Sequence, residues 1–260
     1  MLIKLMKYEM RAIGRTLWPI YLAWILMGIP MGLIGLRQRY NTDGLPNIAV
    51  TLMYVAISVA AAVMTLMVIV RRFNRNLLGD EGYFMLTLPI PVRLHMWCKI
   101  ITTAIWLCLS AIMVTIFVLL MLAFGGNYNL LLAATSYGLG KVKILKLVLF
   151  LLQCLLYMLL AFAAFAAKVY ASICIGYMSR KLRTLCMVGA FIVFSTAEII
   201  LMTIVDTQLS DKLTTFTIGW VDGVLYNNPL VFCVTIAFIA VNIAIYCLIT
   251  QYIMEKKLDI

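Results

Sequence analysis

The chain has 260 residues, of which 65% are hydrophobic and only 12% charged, and it carries a formal net charge of +11. Soluble globular domains hold roughly 45–50% apolar residues, so a mean hydropathy of +1.06 excludes a soluble fold and predicts an integral membrane protein. The apolar residues fall in continuous runs longer than the roughly 18 residues that mark a transmembrane helix, and a barrel would instead show alternating segments of about ten. The predicted class is an all-α membrane protein: one domain over 1–260 with six transmembrane helices.

Residues 1–16 are basic and patterned. Lys4, Lys7, Arg11 and Arg15 recur at spacings of three and four, with Leu2, Met6, Ile13 and Leu17 on the opposite helical face. That pattern predicts an amphipathic helix at the membrane surface; a frayed basic start that only sets topology is the other reading. The first span covers 17–36 and holds Pro19, Gly28, Pro30, Gly32 and Gly35, which predicts a kink. Its Gly28-x-x-x-Gly32 spacing suits close helix contact, including self-association. The run is long and no A-x-A site follows it, which argues against a cleaved signal peptide.

The second span, 48–70, and the third, 100–124, contain no charge. After the third comes an outer loop with GGNYN and the cluster Lys141, Lys143 and Lys146. Its GLGK, 138–141, departs from a phosphate-binding loop because Val142 follows the lysine where Ser or Thr is required. No nucleotide-binding motif and no catalytic constellation is present, so the chain is not expected to be an enzyme. The fourth span, 147–179, is longer than one crossing needs and is expected to project into the cytoplasm, with Lys168 reaching the headgroups. The fifth covers 184–205 and the sixth 229–254. Between them, 206–228 carries Trp220 and Tyr226; an aromatic-anchored loop and a re-entrant outer gate are both compatible with it.

Orientation follows from the basic residues. With the N-terminus inside, Lys4, Lys7, Arg11, Arg15, Arg71, Arg72, Arg75, Arg93, Lys99, Arg180, Lys181, Arg183, Lys256 and Lys257 lie on the inner side, against six on the outer. Both termini are predicted cytoplasmic. The net charge then serves topology and anionic headgroups, not nucleic acid. Seven cysteines without a C-x-x-C pair read as small apolar fillers.

Ionisable groups inside a span default to functional hypotheses. Glu198, in FSTAEII, either faces a translocation cavity or pairs with Lys212 or a backbone group. Asn242 is a second cavity candidate, although it and Gln153 fit interhelical hydrogen bonding better. One histidine, His95, cannot supply an intramembrane metal site.

The cytoplasmic loop over 71–99 has structure of its own. In NLLGDEGYFMLTLPIP, 76–91, Asp80 can cap a short helix and Glu81 suits its first turn. Leu77, Leu78, Tyr83, Phe84, Leu86 and Leu88 give it an apolar face, and the prolines stop it and start the next helix. The order of basic N-terminal helix, six spans, this loop and the Lys-rich end MEKKLDI resembles the permease subunits of type 2 ABC exporters of Gram-positive bacteria. The resemblance covers essentially the whole chain, and its specific part is 79–89; the cluster Lys141, Lys143 and Lys146 matches no motif of the family.

The resemblance implies a second permease copy, identical or related, and two copies of a separate ATPase that binds ATP and Mg, with no cofactor on this chain. It makes the loop the coupling helix, carried by Gly79, Asp80, Glu81, Gly82, Tyr83 and Phe84, with Pro89 fixing the exit. It also implies that 1–16 is the connecting helix and 206–228 the outer gate. A charge-poor cavity lined by spans one, two and five would take hydrophobic or amphipathic cargo, with amphipathic or antimicrobial peptides and toxins favoured over drugs or lipid-linked molecules. The opposing expectation is a non-transporting scaffold or immunity protein.

Overall fold

A backbone that crosses hydrocarbon must satisfy every N–H and C=O within itself, and long runs of Leu, Ile, Ala, Met and Phe do so as helices. The computed structural model describes residues 2–38, 44–73, 92–124, 144–179, 182–210, 219–221, 224–226 and 229–256. These form six helices and one short ribbon: α1 (Leu2–Gln38), α2 (Gly44–Phe73), α3 (Val92–Phe124), α4 (Ile144–Met178), α5 (Arg183–Ser210), β1 (Gly219–Val221), β2 (Val224–Tyr226) and α6 (Pro229–Lys256). Four helices are long and apolar enough to cross a membrane, over Leu94–Ile116, Leu151–Tyr177, Arg183–Val205 and Phe232–Met254, and α2 adds a shorter apolar run, Val55–Arg71. The chain is a multi-pass helical membrane protein.

The expected elements differ from these in three respects. The basic segment 1–16 does not stop before the first span, because α1 continues as one helix of 37 residues through Pro19 and Pro30. Lys4, Lys7, Arg11 and Arg15 are exposed on it as expected. The helix that holds the third apolar run begins before Ile100: α3 starts at Val92, with His95 and Lys99 buried inside it. Within 206–228, β1 and β2 pair antiparallel with Trp220 opposite Leu225, and the Asp222-Gly223 sequence between them is a strong hairpin signal.

The coupling-loop residues Gly79, Asp80, Glu81, Gly82, Tyr83, Phe84 and Pro89 lie outside the described residues, as do Lys141 and Lys143. Gly28 and Gly32 fall within α1, but what packs around them lies outside the described residues too.

The centre of the bundle is α4, which touches α3, α5 and α6, while α1 and α2 pack on each other and on α3. Helices in lipid gain no hydrophobic drive toward one another, so close van der Waals packing and polar contacts must hold them. The C-terminal half of α4 supplies that closeness through Ala164, Ala166, Ala167, Ala171 and Cys174, all buried. Ala166, Ala167, Ala171 and Cys174 join Met96, Ile100, Tyr246, Ile253 and Met254 in one cluster. A second cluster unites Ile13, Leu17, Tyr21 and Trp24 of α1 with Ala61 and Trp106. There Gly14 admits Trp106, whose ring atom Cζ2 would lie 3.2 Å from a side chain at that position.

Candidate functional site

Met6, Glu9, Ile13, Leu17, Tyr21 and Trp24 recur every three or four residues and therefore share one face of α1. From Glu9 onward every member of that stripe is buried, so a carboxylate sits where only an apolar group or a paired charge is tolerated. The answering charge comes from α3. Lys99 Nζ donates to Glu9 Oε1 at 3.1 Å, with the two side chains only 8% and 9% exposed.

Polar contacts continue from this pair into α4. Thr103 Oγ1 bonds the Lys99 carbonyl and shares a 2.8 Å hydrogen bond with the Tyr170 hydroxyl. Thr102 Oγ1 donates to the Cys98 carbonyl at 2.6 Å. One turn before Lys99, His95 is buried, and its Nε2 has no hydrogen-bond partner among the described residues. The space among Glu9, Lys99, Thr102, Thr103 and Tyr170 is about 10 Å³, room for no more than one water. The cluster fastens three helices together near the start of α3.

Farther along the same helices lies an open cavity of about 480 Å³, walled by α1, α2, α3 and α4. Tyr21 and Trp24 form its α1 wall, Ala61 and Ala62 its α2 wall, and Phe162 and Phe165 its α4 wall. The cavity expected from the sequence lay between two copies, against spans one, two and five; this one is inside a single chain and α5 is no part of its wall.

Neither expected cavity residue lines it. The Glu198 carboxylate accepts from Lys168 Nζ at 2.7 Å, so Lys168 is held by α5, and its ammonium lies 5.4 Å from the Phe191 ring centroid. Lys168 thus pairs within the bundle, and Glu198 finds its partner on α4, because a neighbouring countercharge neutralises both groups at less cost than exposing either to hydrocarbon. Asn242 is buried on α6 and donates from Nδ2 to the Phe238 carbonyl of its own helix at 3.0 Å.

The Lys168–Glu198 side chains are 13% and 27% exposed, and polar contacts in membrane bundles contribute on the order of 1 kcal/mol. Glu198→Gln is therefore expected to destabilise by about 1 kcal/mol, read by thermal unfolding in detergent; an unchanged unfolding temperature would mean that the pair does not hold α4 to α5.

All seven cysteines are free thiols, and among the described residues no group of His, Cys, Asp and Glu is placed to hold a metal ion. Comparison with family models, with curated proteins and with solved structures found no match.

Proposed function

We propose that this chain is the permease subunit of a type 2 ABC exporter in a bacterial plasma membrane, crossing six times with both termini cytoplasmic. Its partners are a second permease copy and two copies of a separate ATPase, which holds ATP and Mg. The observation that carries this reading is the buried Glu9–Lys99 pair. Lys99 lies two turns into α3, the helix that the cytoplasmic loop feeds, and Glu9 lies on the basic N-terminal segment. A push on the loop therefore reaches α1 through a salt bridge and α4 through Thr103 and Tyr170 without passing through bulk solvent.

Two further features support the reading. The apolar faces of α2 and α5, with Met53, Val59, Val63, Ile192, Val193 and Ile200 exposed, offer a second copy a surface of matching chemistry. The charges at Glu9, Lys99, Lys168 and Glu198 are neutralised in place, so the bundle interior suits hydrophobic or amphipathic cargo, best exemplified by amphipathic peptides or toxins, which need no countercharge.

The test replaces Asp80 and Glu81 together by Ala in the chain expressed with its ATPase. Export and cargo-dependent ATP hydrolysis are expected to fall severely, while membrane insertion is retained. Export at the parent level would remove the coupling role from the loop, and failure of any ATPase to copurify would favour a scaffold.

A further inference from the structure

The wall of the 480 Å³ cavity contains four hydroxyls, from Tyr21, Thr65, Ser110 and Thr115, and each is already used. Tyr21 and Ser110 bond each other, and Ser110 Oγ donates to the Trp106 carbonyl at 2.9 Å. Thr65 Oγ1 donates to the Ala62 carbonyl at 2.7 Å, and Thr115 Oγ1 to the Ala111 carbonyl at 2.9 Å. Spent in this way, the hydroxyls leave a guest little to bond. A resident water needs roughly two to four polar partners, and a peptide would bring unmatched N–H and C=O groups. What fits is hydrocarbon.

The position of the cavity names the source of that hydrocarbon. The walls on α3 and α4 lie within the candidate spans Leu94–Ile116 and Leu151–Tyr177, and the α2 wall lies within the apolar run Val55–Arg71, so each wall belongs to a stretch of lipid-compatible composition. Ala62 and Thr115 line the cavity and are exposed, so it opens toward the lipid side of the bundle. Its volume falls in the range of roughly 300–1,000 Å³ typical of small-molecule pockets. We propose that this cavity holds one acyl chain of a bilayer phospholipid, with the headgroup outside it. The proposal concerns a resident lipid within one chain and is independent of how cargo moves or which ATPase drives it.

The test is native mass spectrometry of the full chain extracted from phosphatidylcholine vesicles into mild detergent, with helical circular dichroism confirming the fold. The parent chain is expected to retain one phospholipid. Filling the cavity from either wall, by a graded series Ala111→Val, Ala111→Leu and Ala111→Phe or separately by Ala62→Phe, should weaken retention progressively, to about tenfold or more for Phe. Met67→Phe, on the opposite, exposed face of α2, should retain the lipid. Exchange of phosphatidylcholine for phosphatidylglycerol should change nothing, because the cavity reads the chain and not the headgroup. A parent chain free of lipid, retention indifferent to folded variants of both walls, or retention that follows the headgroup would each overturn the proposal.

Discussion

Glu9→Gln is expected to destabilise the folded chain by about 3–5 kcal/mol, the usual cost of leaving one member of a buried pair without its countercharge. The Lys99 side chain is only 8% exposed, so replacing Glu9 takes away the carboxylate 3.1 Å from a buried ammonium. Two companion variants separate the charge from the packing. Exchanging the partners, Glu9→Lys with Lys99→Glu, should recover part of the loss, and Glu9→Gln with Lys99→Met should lie near the parent, because replacing both ions removes the desolvation cost together with the attraction. Thermal unfolding in detergent reads all three. Under the transport reading, the neutral double variant also tests transmission: it should hydrolyse ATP with its partner yet export poorly, since the charged link between loop and α1 is gone. If Glu9→Gln unfolds at the parent temperature, the carboxylate is not holding Lys99 and the link through α1 fails with it.

The next largest effect is expected at Gly176, where α4 gives way to α5. A side chain there would lie 2.1 Å from Met187 Cγ and 2.9 Å from the Arg183 carbonyl oxygen. The methionine can swing aside, but the carbonyl belongs to the first turn of α5 and cannot move without shifting the helix. The turn is also pinned by its own hydrogen bonds, from Ser179 N to the Gly176 carbonyl at 3.1 Å and from Cys186 N to the Leu182 carbonyl at 2.9 Å. Gly176→Ala should therefore destabilise by about 1–3 kcal/mol, the range of overpacked sites, and Gly176→Val by more. Adding Met187→Ala should relieve part of the Gly176→Ala loss, a coupling that a double-mutant cycle isolates. Additive effects of the two substitutions would mean that α4 and α5 do not meet at this point.

Much of the fold is legible because lipid leaves the chain few options. The four helices that qualify as crossings coincide with apolar runs visible in the sequence, and the free cysteines follow from their apolar neighbours. The polar connections are harder to read, since hydropathy treats each charge as solvated. Lys99 enters the sequence reading only as one of the inner-side basic residues, whereas in the fold it is desolvated inside α3 and paired with Glu9.

The signal for Glu9 was nevertheless present. An acid falls in register with Met6, Ile13 and Leu17 on an otherwise apolar face, and such an acid demands a base. Nothing comparable identifies which base answers it, because pairing across helices 90 residues apart depends on how the helices pack. The same holds for Lys168 and Glu198: both are conspicuous in their spans, but their registry with each other exists only once α4 and α5 turn back on one another. The α1–α4 cavity was illegible for a different reason. It is a gap, and gaps arise where small residues such as Ala61, Ala62 and Ala111 face one another, which composition along one segment does not reveal.

The continuity of α1 has a mechanical consequence. At about 1.5 Å per residue, its 37 residues make a rod of roughly 55 Å, against a hydrocarbon thickness of roughly 30 Å, so one end must stand well clear of the apolar layer or lean steeply. Glu9 grips the rod near its N-terminal end, and Tyr21 and Trp24 wall the cavity farther along it. Between those points Pro19 lacks the amide hydrogen that would bond the Arg15 carbonyl, and both residues are exposed. The rod therefore has a soft joint between grip and cavity. Tyr21 and Trp24 stand only two and five residues beyond that joint, so any change of bend there would tilt the α1 wall of the cavity and alter its width.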